Sequence, residues 1–62
     1  MRFGYRRHTI VIEQKSNHLV YDVLGTRNEL LIAGFDFLDL SAENLRARLR
    51  SQIDQLILEY IR

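Results

Sequence analysis

The sequence has no cysteine, no proline and no tryptophan, and only three glycines and two histidines. Without cysteine there is no disulfide. The two histidines, His8 and His18, do not make a structural zinc site in the absence of thiolates. Charge of one sign is missing too: nine Lys plus Arg against eight Asp plus Glu leave a net charge of +1, far from the excess that advertises nucleic acid by itself. Uncharged apolar runs are only a few residues long, and Met1-Arg2-Phe3-Gly4 lacks the apolar core of a signal segment. The expectation is an untargeted cytoplasmic protein that does not enter a membrane.

What is present is apolar: 47% of 62 residues, enough for one small domain. A chain of this size buries only about 60% of the surface its unfolded form exposes. Ordering costs roughly 1.5 kcal/mol per residue, so a monomeric core leaves little surplus. With disulfides and metals set aside, self-association or a partner chain is the remaining way to stabilise it. Eight of the nine cations are arginine, a residue suited to planar, bidentate and stacked contacts at interfaces.

The patterning predicts three strands and a helix. Residues 5–14, rich in β-branched side chains, read as a strand ending in the polar cluster Gln14-Lys15-Ser16-Asn17. Residues 18–24 form a second strand, and Gly25-Thr26-Arg27-Asn28 a turn in which Gly25 or Asn28 takes positive φ. Residues 29–38 form a third, with Gly34 marking a bulge or bend. Ser41 is a suitable N-cap, Glu43 complements the helix dipole, and a helix is expected over about 42–61. Leu45, Leu49, Ile53, Leu56, Ile57 and Tyr60 fall on one stripe, with Leu58 on the polar side and Ile61 at the stripe's edge. The predicted fold is α+β, an antiparallel βββα meander with the helix across one face.

Alternation leaves neither face of that sheet polar. A single helix covers one face, so an apolar surface remains for a second copy or another protein, by sheet stacking, edge pairing or helix packing. Val11, Tyr21, Val23, Phe35, Phe37, Leu58 and Ile61 are the residues expected at this interface.

Three other constellations carry charged or titratable groups. Arg2, Arg6, Arg7 and His8, interleaved with Phe3 and Tyr5, resemble a phosphate-contacting arm, and Arg46 and Arg50 share a helix face. This gives the alternative of a dimeric nucleic-acid binder, although Glu43 and Asp54 at helical spacing would partly neutralise the surface of the helix arginines. His8 and His18 with Asp22 or Asp36 offer an acid–base or metal pair, yet no nucleophile setting and no glycine-rich phosphate loop accompanies them. A non-catalytic protein without cofactor is the expectation.

The segment Leu31-Ile32-Ala33-Gly34, leading through Leu38-Asp39-Leu40-Ser41-Ala42-Glu43-Asn44-Leu45 into Leu49 and Ile53, resembles the N-terminal domain of HicB-type antitoxins. There a final strand ends near a glycine, and a Thr or Ser cap and a Glu open the helix that packs on the sheet. The resemblance spans Thr9 to Tyr60. The family's Pro-Gly-Cys-like signature is replaced by Gly25-Thr26-Arg27-Asn28. What it implies is an oligomeric regulatory or inhibitory module that binds a protein partner.

Overall fold

In the computed structural model, residues 1–37 and 41–61 are described, the side chains of 37 and 61 excepted. The chain forms β1 (Arg2–Tyr5), β2 (His8–Gln14), β3 (His18–Leu24), β4 (Leu30–Phe37) and α1 (Ala42–Ile61). The four strands make one antiparallel sheet in the order β1-β2-β3-β4, each paired with its sequence neighbour. The fold is α+β, with the helix on one sheet face.

The expected first strand is two strands. Arg6 and Arg7 take φ of 48° and 68°, and Tyr5 pairs with His8 around them. Positive φ at both central residues is the I′ hairpin geometry, normally written Asn-Gly or Asp-Gly. Two arginines carry no such signal, so residues 5–14 read as continuous. The hairpin is held from outside by Asp54, whose Oδ1 accepts from Arg6 Nη1 at 2.8 Å, and from within by the His8 ring, which meets the Arg6 carbonyl at 2.8 Å. At the far end of β1, the Met1 nitrogen donates to the Ile12 carbonyl at 2.7 Å and the Ile12 N–H to the Met1 carbonyl at 2.8 Å.

Gly34 is not the bulge. It pairs regularly with Tyr21, and the register shift lies instead at Val23/Leu24, where β4 begins. An added Cβ at Gly34 would stand 2.6 Å from Tyr21 Oη and 2.9 Å from its Cζ. The glycine is therefore the seat of the Tyr21 ring. In the β3–β4 turn Asn28 takes the positive φ, 61°, and Gly25 closes the loop by donating to the Glu29 carbonyl at 2.8 Å.

The helix starts as its sequence dictates. The Ser41 hydroxyl accepts from the Asn44 N–H at 3.1 Å, and Glu43 lies in the first turn. Leu45, Leu49 and Ile53 are fully buried against Ile10, Ile12, Leu19 and Val23. The stripe then outruns the sheet. Twenty helical residues extend about 30 Å, longer than a seven-residue strand at about 24 Å. Leu56 and Tyr60, expected in the contact stripe, are exposed for that reason, Tyr60 by 92%.

Candidate functional site

Register assigns every described strand residue to a face. Phe3, Ile10, Val23 and Ile32 lie in one row across the sheet, and Ile12, Tyr21 and Gly34 in another. This is the side the helix covers. The opposite side carries Val11, Val20, Leu24, Leu30, Ala33 and Phe35, with Arg2, Thr9, Glu13, His18 and Asp22 among them. Leu30 is 60% and Phe35 63% exposed, and the His18 ring packs edge-on to Phe35 at 5.9 Å.

The residues expected at the interface therefore separate. Val11 and Phe35 are on the uncovered face. Val23 is not: it is a core residue with no exposure. Tyr21 is also beneath the helix, packed against the core. Both belong to the opposite alternation phase from Val20 and Leu24, the β3 residues that do reach the open side. Leu58 is exposed on the helix, away from this surface. The side chains of Phe37 and Ile61 lie outside the described residues. Val20, Leu24 and Ala33 were missed, although the period of two names them once the register with Val11 and Phe35 is known; Leu30, out of phase with Phe35, joins them only through the register shift that pairs it with Leu24.

The helix flanks are dressed with arginine stacked on aromatic rings. Arg46 lies over Phe3 at 4.5 Å, Arg50 over Tyr5 at 5.8 Å and Arg48 over Tyr21 at 5.8 Å. Arg48 also donates to the Asp36 carboxylate, which raises the guanidinium pKa further. On the β1 side, Asp54 accepts from the Tyr5 hydroxyl and from Arg6. Arg6 and then Tyr5 hold the Asp54 carboxyl below its ordinary range, and the same carboxylate pushes the Tyr5 hydroxyl up. The expected neutralisation of Arg46 and Arg50 does not occur by ion pairing. Among the described residues the ion pairs are Arg6–Asp54, Lys15–Glu13 and Arg48–Asp36.

The acid–base candidates are separated by the same alternation. His8 follows the phase of Ile10 and lines an apolar recess of about 390 Å³ with Leu31, Leu56, Ile57 and Tyr60, whereas Asp22 is on the open face. His18 meets Asn17 Oδ1 at 2.8 Å, and Asp36 is taken by Arg48. No group of three or more metal-ligating side chains is found among the described residues, and none of their helices is long and apolar enough to cross a membrane. Comparison with protein families, curated proteins and solved structures finds no match.

Proposed function

We propose that the chain is a non-catalytic protein–protein interaction module acting as a homodimer, a small regulatory or inhibitory adaptor of antitoxin-like type. The observation that carries this reading is the apolar band of Val20, Leu24, Leu30, Ala33 and Phe35 on the sheet face opposite the helix. Contiguous apolar surface of this kind on a small domain is an interaction surface. The core beneath the helix supports the same reading: seven hydrophobic side chains are buried among the described residues, a small reserve for a domain without disulfide or metal. Stacking two copies through β3 and β4 buries the band together with Asp22, which lies between Val11 and Ala33 within it, so desolvation of that carboxylate opposes the association. The antitoxin-like part rests on the order of strands, glycine, serine cap and helix.

Light scattering across micromolar concentrations tests the dimer. The expected mass is twice the 7.4 kDa of the chain, falling to the single-chain value for Phe35→Asp, with a melting temperature that rises with protein concentration. A 7.4 kDa species at every concentration, with concentration-independent melting, overturns the proposal.

A further inference from the structure

A groove of about 320 Å³ runs between β1 and α1, lined by Arg2, Phe3, Gly4 and Tyr5 from the strand and Arg46 and Arg50 from the helix. Arg46 and Arg50 give it its charge, Arg2 lining it from a strand position that faces the other side of the sheet, and those lining residues include no carboxylate. Asp54, four residues beyond Arg50, spends its hydrogen bonds on Tyr5 and Arg6 and reaches Arg50 only through space. An arginine stacked face-on over a ring keeps its in-plane N–H fork for a planar anion such as a carboxylate. The Arg46 guanidinium carbon lies over the Phe3 ring at 4.5 Å and that of Arg50 over the Tyr5 ring at 5.8 Å, and neither is in an ion pair among the described residues.

The strand beside them has an unused edge. Met1 exchanges both backbone hydrogen bonds with Ile12, so in the antiparallel ladder Phe3 and Tyr5 point their peptide groups at β2. Arg2 and Gly4 then direct theirs outward. β1 is an end strand of the sheet, so among the described residues no strand occupies that edge. Spacing connects the two features. Arg46 and Arg50, four helical residues apart, advance about 6 Å, and alternate residues of a strand about 6.8 Å. The stacking of Arg46 on Phe3 and Arg50 on Tyr5 shows the two repeats already in step.

We infer that this groove docks an extended acidic segment of a partner protein, which adds to β1 as a fifth strand and sets carboxylates at i and i+2 against Arg46 and Arg50. A second copy of β1 does not fit, because β1 and its turn carry Arg2, Arg6 and Arg7 and no acid. The inference deepens the partner-binding half of the proposed function, on a surface separate from the dimer face.

The test uses a short, end-capped, fluorescent peptide of alternating Glu and Val, titrated against the full chain and against Phe35→Asp. A control peptide has the same composition in a Glu-Glu-Val-Val repeat, which contains no i, i+2 acid pair. The alternating peptide is expected to bind saturably to both proteins, at least tenfold tighter than the control. Binding should weaken tenfold or more in Arg46→Gln and Arg50→Gln, and also in Gly4→Pro, which removes an outward N–H that β2 does not use. Lys15→Gln, with the same loss of charge elsewhere, should leave it unchanged. Circular dichroism checks that each variant is folded, and in the unaltered protein the amide resonances of Arg2 and Gly4 should shift on binding. Absence of saturable binding, equal affinity for the control peptide, or tighter competition by single-stranded oligothymidylate overturns the inference. Loss of the dimer with peptide binding retained overturns only the dimer.

Discussion

The Tyr5 hydroxyl donates to both carboxylate oxygens of Asp54, at 2.9 and 3.0 Å, across 49 residues of sequence. With Arg6 on the same carboxylate, this contact ties the first hairpin to the helix and holds in place a turn whose two φ angles disfavour arginine. Its charge state decides when it operates. The folded chain keeps Asp54 below its ordinary 3.8, so that contribution is present above this value and is lost as pH falls through the lowered one. The fold raises Tyr5 above 10.0, so its contribution is present below 10.0 and is lost as pH rises through the raised one.

Asp54→Asn is therefore expected to lower the melting temperature most between about pH 5 and 9, with the gap to the unaltered protein closing at both extremes. Thermal unfolding followed by circular dichroism across that range measures it. A gap independent of pH would show that the carboxylate charge is irrelevant to the tie.

Leu49→Ala removes a fully buried side chain at the centre of the helix contact and is expected to cost about 2–5 kcal/mol. For a domain with so small a core this leaves the chain largely unfolded. Leu58→Ser, at a position 53% exposed, should change urea stability by less than about 0.5 kcal/mol.

Arg7→Gly places a glycine at φ 68°. Relief of the left-handed conformation outweighs the glycine's greater unfolded-state entropy, and stability should rise by about 0.5–1 kcal/mol. A urea midpoint that falls instead would show that the Arg7 side chain contributes to the turn.

Gly34→Ala forces a Cβ against the Tyr21 hydroxyl and ring. Tyr21 is packed against the core and under Arg48, so the ring cannot simply swing aside. The expected loss is about 1–3 kcal/mol, and the double variant Gly34→Ala with Tyr21→Val should lose less than the sum of the two single changes.

Asp22→Val takes a carboxylate from between Val11 and Ala33 on the open sheet face. If that face joins two copies, removing the charge should tighten the dimer about tenfold, an order of magnitude consistent with less polar desolvation. Sedimentation equilibrium measures the change; a weaker dimer would place Asp22 in a pairing contact.

The elements with strong local chemistry were legible in the sequence. Ser41 and Glu43 announced the helix start, Leu45, Leu49 and Ile53 its buried stripe, and Asn28 the second turn. The Arg6-Arg7 turn was not, because its conformation is imposed by Asp54, far along the chain, and by the pairing of Tyr5 with His8. The face of each strand followed from alternation within that strand, but joining the faces required register. For that reason Val11 and Phe35 were grouped with Tyr21 and Val23, which the sheet places on its other side. The β1 groove was hidden for the same cause: Arg46 and Arg50 were visible as a helix pair, but the edge they accompany exists only once residues 2–5 form a strand.

Among the described residues each strand pairs only with its neighbours in sequence, so the sheet is built from short loop closures and needs no long search. The order of assembly follows from this. A nascent chain can pair β2, β3 and β4 while both surfaces of the sheet are still bare; the first hairpin is fixed, and one surface shielded, only once residues 45–54 of the helix follow. During that interval Ile10, Ile12 and Val23 are as available to a neighbouring nascent chain as Phe35 is, which makes helix docking the step that separates orderly folding from clumping.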